Sequence, residues 1–418
     1  VGKGTILNKF LKYNIRMAKR VILAYSGGLD TSIIVRWLTE RGFEVITYTA
    51  DVGQKEELSE IPEKARKAGA VEAIVEDIRE EFARDFCLPT LRALALYEGK
   101  YPLTASLSRP LISKKLIEYA KKKDADYIAH GSTGKGNDQV RFEVSAWALN
   151  PDIEVLAPVR EWEFKSREQE IEYATKYNIP VKATKENPYS IDRNLWGVSI
   201  ECGILEDPFQ EPPKDAYQIT KDPEKAPDTP QYITITFEEG TPIAINDHKF
   251  NSIYKLIEHL NDIAAPHGVG RIDMVENRLV GIKSREIYEA PGAMCLYKAY
   301  DDLASITLDK YTYQYLIGHI SNTYANLVYE GLWFSPLKDA LDAFNNKISN
   351  YINGTVRLKL YKGNIEVVGR KSPNALYIEE LSTYTEKDAF DHQAGAMFTK
   401  VYGLPLKVLG RVKAKNQL

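Results

Sequence analysis

From residue 20 the apolar positions fall in alternating blocks of two kinds. Val21-Ile22-Leu23-Ala24-Tyr25 is an unbroken apolar run, as a strand covered on both faces of a parallel sheet requires. Beyond it the spacing turns helical, with Ile33, Ile34 and Trp37 on one face of a segment ending near Gly42. The pattern predicts a strand over 44–49, a helix over 59–68, a strand over 73–75 and a helix over 79–97 interrupted by Pro89. A helix over 108–123 and a strand over 127–130 follow. Ser166 and Gln169 then form a capping box for a helix that stops before Pro180. This alternation predicts an α/β domain with a doubly wound, mostly parallel sheet, reaching to about residue 185.

The second half reads differently. Between Glu206 and Pro230 lie six of the chain's 20 prolines, which predicts an ordered but irregular connection. Tyr232 to Phe237 alternates like a strand and meets a turn at Glu239-Gly240, so a hairpin is expected there. Ile253, Leu256, Ile257, Leu260 and Ile263 mark one face of an amphipathic helix. A second hairpin is expected over 355–361 and 364–369, joined by Lys362-Gly363. These elements make an α+β region, with no internal repeat.

Composition narrows the function classes. The 418 residues carry 55 Lys plus Arg against 58 Asp plus Glu, a formal net charge of −3. So balanced a chain lacks the cationic excess of a general nucleic-acid binder. No apolar run approaches the ~20 residues of a membrane-spanning helix. Cys87, Cys202 and Cys295 form no C-x-x-C and read as buried apolar thiols, so a reducing, cytoplasmic setting is expected. Residues 1–16 hold Lys3, Lys9, Lys12 and Arg16, no acid and no continuous apolar stretch. They read as a dispensable basic extension, with Met17 as the natural start.

The chemistry concentrates in two loops. Ala24-Tyr25-Ser26-Gly27-Gly28-Leu29-Asp30-Thr31-Ser32 joins a buried strand to a helix. Its two glycines let the backbone turn sharply and aim several N–H groups at one anion, to which the helix adds its positive end. Ser26, Thr31 and Ser32 supply hydroxyl donors; Asp30 can hold Mg²⁺ or accept from backbone N–H groups. Neither G-x-x-x-x-G-K-[ST] nor G-x-G-x-x-G is present, which excludes a Walker A loop and a dinucleotide fingerprint. The second loop, His130 to Glu143, also follows a strand and enters a helix, so it should lie at the same sheet edge. There Arg141 or backbone N–H groups can take a carboxylate and Asp138 an ammonium.

SGGLDTS resembles the pyrophosphate-binding loop of the ATP pyrophosphatases, which split ATP between its α and β phosphates. The likeness extends along the chain. AYSGGLDTS (24–32), TADVGQ (49–54), YEGKYPLTASLSRPLI (97–112), AHGSTGKGNDQVRFE (129–143), ENPYSIDRNLWGVSIE (186–201), LEDP (205–208), HGVGRIDMVENRLVGIKSREIYEAPG (267–292) and RLKLYKGNIEVVGRKSP (357–373) resemble, in order, the argininosuccinate synthase family. That family joins citrulline to aspartate with ATP, through an adenylated citrulline, and releases AMP and pyrophosphate. The resemblance implies an N-terminal nucleotide-binding domain over 17–185, a synthetase domain over 186–385 and a C-terminal oligomerisation segment over 386–418. It implies ATP at Ala24, Tyr25, Ser26, Gly27, Gly28, Leu29, Asp30, Thr31, Ser32, Ala50 and Gly131, with Mg²⁺ accompanying it. Aspartate would take Thr133, Asn137 and Asp138. Citrulline would take Tyr101, Ser106, Asn137, Arg141, Ser190, Ser199, Glu276 and Tyr288. No catalytic residue and no resident metal ligand is implied.

Three departures from the family pattern stand out. Ala105 precedes Ser106 where threonine is usual, and Pro102 and Thr104 alter the same stretch. Glu286 occupies a position usually held by glycine. The family ends in a long helix that helps assemble a homotetramer, and Gly403 and Pro405 should interrupt it here. Two other readings compete. A tRNA-thiolating enzyme with the same loop would want catalytic cysteines and a basic surface. A nucleotide-sensing module without turnover would have no use for the second polar loop.

Overall fold

The structure is a computed structural model, and it describes residues 19–55, 58–180 and 188–416. The extension over 1–16, Met17, and Glu186 and Asn187 of the fifth string lie outside the described residues. By contact the chain divides into a unit up to Asn374 and another from Ala375.

The first unit opens with β1 (Lys19–Ala24), α1 (Leu29–Glu40), β2 (Phe43–Asp51), α2 (Ile61–Ala68) and β3 (Glu72–Asp77). The expected helix over 79–97 ends sooner. It runs over 79–92 with a π-helical turn at Ala83–Cys87, and Pro89 sits at the start of its last piece, where a missing N–H costs least. Next come α3 (Thr104–Lys123), β4 (Tyr127–Ala129), α4 (Asp138–Leu149), β5 (Glu154–Leu156) and α5 (Arg167–Lys176). All pairings among these strands are parallel, in the order β3-β2-β1-β4-β5. Val21 and Leu23 pack on the side of α1, while Ile22 joins the core on the other side. Coverage of both faces is why β1 reads as an unbroken apolar run. The strand order reverses between β1 and β4, and ligand crevices of open α/β sheets form at such a point.

Two antiparallel sheets follow. One joins β6 (Ser190–Asn194), β7 (Gly197–Glu201), β11 (Arg271–Asn277) and β12 (Lys283–Glu289) in the order β11-β12-β7-β6. The other contains β8 (Gln231–Glu238), β9 (Thr241–Ile245), β10 (His248–Lys249), β13 (Gly354–Tyr361) and β14 (Asn364–Lys371) in the order β10-β9-β8-β13-β14. Both expected hairpins are therefore present, and the expected amphipathic helix is α6 (Ile253–Ala264), with Leu256, Ile257 and Leu260 buried. Helices α7 (Pro291–Thr307), α8 (Ser321–Tyr329) and α9 (Pro336–Ser349) complete this unit. The proline-rich connection holds only short 3-10 turns and is tethered by Glu289. The fully buried Glu289 carboxylate accepts backbone N–H bonds from Gln218, Ile219 and Thr220, at 2.6, 3.2 and 2.7 Å.

The second unit contains a short turn at Glu379–Ser382, then α10 (His392–Tyr402) and α11 (Leu404–Asn416). The expected interruption falls between α10 and α11, at Gly403, and Pro405 sits in the first turn of α11. No residue over 375–416 is buried, and Phe398, Val401, Tyr402 and Leu406 present apolar side chains to solvent.

Candidate active site

The two glycine loops leave the carboxyl ends of β1 and β4, which are neighbours in the sheet, and so meet at one crevice. In the first loop Gly27 has φ +79, a left-handed conformation that disfavours any side chain, and a Cβ there would lie 2.3 Å from Ile61 Cδ1. Ser26 Oγ accepts from Gly28 N–H at 3.3 Å and pairs with Thr31 Oγ1 at 3.1 Å. Tyr25 OH pairs with Ser32 Oγ at 2.9 Å, and Thr49 Oγ1 donates to Tyr25 O at 2.7 Å. These bonds brace the loop from within while the N-terminus of α1 points into the crevice. Asp30, in the first turn of α1, faces Glu170 of α5. Burial and then the Asp30 charge push the Glu170 carboxyl up to about 7.

The second loop is held by its own helix. Gln139 Nε2 donates to Gly134 O at 2.6 Å and to Gly136 O at 3.2 Å, and Arg160 donates to Gln139 Oε1 at 2.9 Å. His130 Nδ1 accepts from Ser132 N–H at 3.2 Å, which leaves the ring proton on Nε2 to face Glu143 at 3.3 Å. At the start of α4, Asp138 and Arg141 pair at 2.9 Å, as a spacing of three on a helix allows. Arg109 of α3 adds a second bond to Asp138, at 2.8 Å, and also bonds Asp192. Burial raises the Asp138 carboxyl, but Arg109 and Arg141 together outweigh it and hold the group below the usual carboxylate range.

The opposite wall is one face of the β11-β12-β7-β6 sheet. Tyr288 pairs with Ser199, and Ser199 with Asp192, in one cross-strand row. Two residues along, Ser190, Glu201 and Glu286 share that face, because side chains alternate along a strand. The intervening residues Ile191, Val198, Ile200 and Ile287 pack into a small core on the other face. Tyr288 stacks on Tyr101 with centroids 4.0 Å apart, and Tyr329 stacks on Tyr97 at 3.6 Å. Glu276 is buried between two phenols: Tyr329 OH donates to Oε1 at 2.6 Å, and Tyr288 OH lies 2.5 Å from Oε2. Arg278 bridges Glu201 and Glu286.

A cavity of about 600 Å³ lies between these walls. Of the residues expected at the nucleotide, Ala24, Tyr25, Ser26, Gly28, Leu29, Asp30, Thr31, Ala50 and Gly131 line it. So do Thr133, Asn137 and Asp138, expected at aspartate, and Tyr101, Arg141, Ser190, Ser199, Glu276 and Tyr288, expected at citrulline. Gly27 and Ser32 do not line it; they shape the loop from behind. Ser106 is fully buried and does not reach the cavity either.

Arg109, Asp192, Arg278 and Glu286 also line the cavity and are not among the expected site residues, although all four lie within the quoted strings and three of them stand two positions from an expected residue. The signal for two of them was the period-two pattern Ser190-x-Asp192 and Glu286-x-Tyr288, polar on one face and apolar on the other. Asn137 spends its amide on Tyr329 OH, at 2.7 Å, and its carbonyl accepts Leu279 N–H at 3.0 Å. Tyr329 had no local signal at all.

Two family models match this chain. The Arginosuccinate synthase N-terminal HUP domain covers residues 20–180 and the Arginosuccinate synthase C-terminal domain residues 189–409. The chain is 74% identical to the argininosuccinate synthase of Aquifex aeolicus over 395 residues, which is 94% of this chain and 98% of that protein. It is 56% identical to that of Bacillus pumilus over 404 residues, covering 96% of this chain and 98% of the relative. A solved 4-thiouridine synthetase–RNA complex with bound ATP is 15% identical, with a TM-score of 0.29 over 38% of this chain and 41% of that one. That likeness is too slight to carry an argument.

Proposed function

The chain belongs to the argininosuccinate synthase family, and on that premise we propose how its residues divide the family's chemistry among three substrates. The reaction joins citrulline to aspartate at the expense of ATP, in arginine biosynthesis. The ureido oxygen of citrulline is a poor leaving group. It therefore attacks the α-phosphorus and expels pyrophosphate, and the aspartate amine then attacks the activated carbon and expels AMP. Such in-line transfer depends on positioning and charge neutralisation more than on covalent help from the protein.

The observation that carries the assignment is the convergence of both glycine loops and the polar sheet face on one cavity. In this reading residues 24–32, with Ala50 and Gly131, hold ATP. The loop's N–H groups and the hydroxyls of Ser26 and Thr31 meet the pyrophosphate portion. Asp30, which lines the cavity, suits a Mg²⁺ ion riding on the triphosphate, since hard cations take carboxylate together with phosphate oxygens. Bound there, Mg²⁺ would neutralise charge on the phosphates. Thr133, Asn137 and Asp138 take aspartate, with Asp138 on its ammonium. Tyr101, Asn137, Arg141, Ser190, Ser199, Glu276 and Tyr288 surround citrulline, with Arg141 on its carboxylate and Glu276 on its ammonium. Ser106 acts from behind, through the packing of α3.

We assign the segment from 17 to 185 to nucleotide binding, 186–385 to the amino acids, and 386–418 to assembly of a homotetramer in the cytoplasm. The exposed apolar side chains of α10 and α11 support the last of these. Ser26→Ala should raise KM for ATP about tenfold, the worth of one lost hydrogen bond to a charged group, and leave KM for both amino acids unchanged. Steady-state kinetics with each substrate varied in turn checks this; an unaltered KM for ATP would remove Ser26 from the nucleotide site.

A further inference from the structure

The Tyr288 hydroxyl lies 2.5 Å from Glu276 Oε2 and 2.9 Å from Glu286 Oε2. A phenol has one proton to donate, and two ionised carboxylates offer only acceptors. Both contacts are satisfied together only if one of the carboxyls carries a proton and donates it to the phenol oxygen.

The surroundings decide which one. Glu286 Oε1 accepts a charge-assisted bond from the Arg278 guanidinium at 2.9 Å. The other oxygen of Glu276 meets a neutral donor, Tyr329 OH, whose own oxygen accepts from Asn137. The consistent arrangement has Tyr288 donating to ionised Glu286 and accepting from protonated Glu276. We propose that Glu286 is a positioning residue of the citrulline pocket: through Tyr288 it keeps one proton on Glu276 in the empty site, and the citrulline ammonium displaces that proton to solvent on binding. This rests on the assignment of Glu276 to citrulline made above.

The charged and titratable groups around Glu276 support it. Glu286 and Tyr288 face it from β12, Tyr329 from α8 and Arg141 from α4, with Tyr97 and Tyr101 from the segment before α3. Glu201 of β7 and Arg278 act on it through Glu286. Burial first, and the Glu286 charge second, push the Glu276 carboxyl up to about 7, against the pull of Tyr288, Tyr329 and Arg141. A carboxyl raised in the free enzyme and lowered by a bound ammonium makes binding weak below that pKa and full above it. KM for citrulline should therefore fall about tenfold between pH 6 and pH 8.

Glu286→Gln tests the idea sharply. Its amide oxygen still faces Arg278, while its NH₂ supplies the donor that the Tyr288 oxygen lacks. Tyr288 can then donate to an ionised Glu276. The pH dependence of KM should shrink to about twofold, with kcat changing less. A Glu286→Gln profile that follows the wild type overturns the proposal. The wild-type enzyme offers a test that needs no variant to fold. Citrulline titrations at pH 6, in two buffers of different ionisation enthalpy, should report close to one proton released per site, and release of none overturns the proposal. Glu276→Gln separates the two levels. A citrulline KM unaltered by that change withdraws the assignment of Glu276 to the pocket, whereas a raised KM with a wild-type pH profile in Glu286→Gln defeats only the role of Glu286.

Discussion

Asp138→Asn should lower kcat/KM for aspartate by a factor between about 30 and several thousand, with KM for ATP little changed. The carboxylate is the shared partner of two guanidiniums, the buried one of Arg141 and the half-buried one of Arg109, and so a charge on which their arrangement depends. Asparagine preserves the shape but leaves both cations without that charge, and it offers an aspartate ammonium a neutral group in place of an anion. Removing one member of a buried, hydrogen-bonded charge pair costs about 2–5 kcal/mol, which is the source of the expected range. Because Arg141 is also proposed to bind citrulline, KM for citrulline should rise as well, by a smaller factor. Initial rates with each substrate varied separately distinguish the effects. An aspartate dependence equal to that of the wild type takes Asp138 out of the aspartate site.

Gly27→Ala should reduce kcat by about a hundredfold in a protein that still folds. The cost arises in the backbone. At φ +79 a residue with a Cβ is strained by about 1–2 kcal/mol. The new methyl group also meets the end of the Ile61 side chain, which can rotate away more easily than the loop can relax. The loop relieves its strain by turning, and its N–H groups then no longer converge where they did. For a reaction that depends on in-line geometry, a displacement of about 1 Å is worth roughly a hundredfold in rate. Circular dichroism should match the wild type while AMP formation falls. Full activity in this variant would mean that the left-handed turn does not shape the phosphate site.

What could be read along the chain, and what could not, follows the range of the interactions involved. The AYSGGLDTS and HGSTGKGNDQVRFE loops are legible because their chemistry is local: glycine, hydroxyl and helix start lie within a few residues of one another. The same holds for the hairpin at Glu239-Gly240 and the break at Gly403. The antiparallel wall of the site is different. Its polar face depends on Ser199 lying opposite Tyr288, 89 positions along the chain, and this register is set by burial of Val198, Ile200 and Ile287 on the far side. No local pattern states that pairing. For the same reason Arg109 reads as an ordinary helix residue until α3 carries it against Asp138 and Asp192. Tyr329, on α8, reaches Glu276 from 53 positions away. Ser106 differs in the other direction: it lies in a telling string, yet it is fully buried and is not among the residues lining the cavity.

On the proposed assignment, citrulline is adenylated through its ureido oxygen in the cavity between the two loops and the polar sheet face. The most direct test uses citrulline labelled with ¹⁸O in the ureido group, incubated with the enzyme, ATP, Mg²⁺ and aspartate. The bond from that oxygen to phosphorus forms in the first step and its bond to carbon breaks in the second, so the label should appear in the phosphate of AMP, one atom per argininosuccinate formed. AMP free of ¹⁸O, with argininosuccinate formed at the normal rate, would contradict the account.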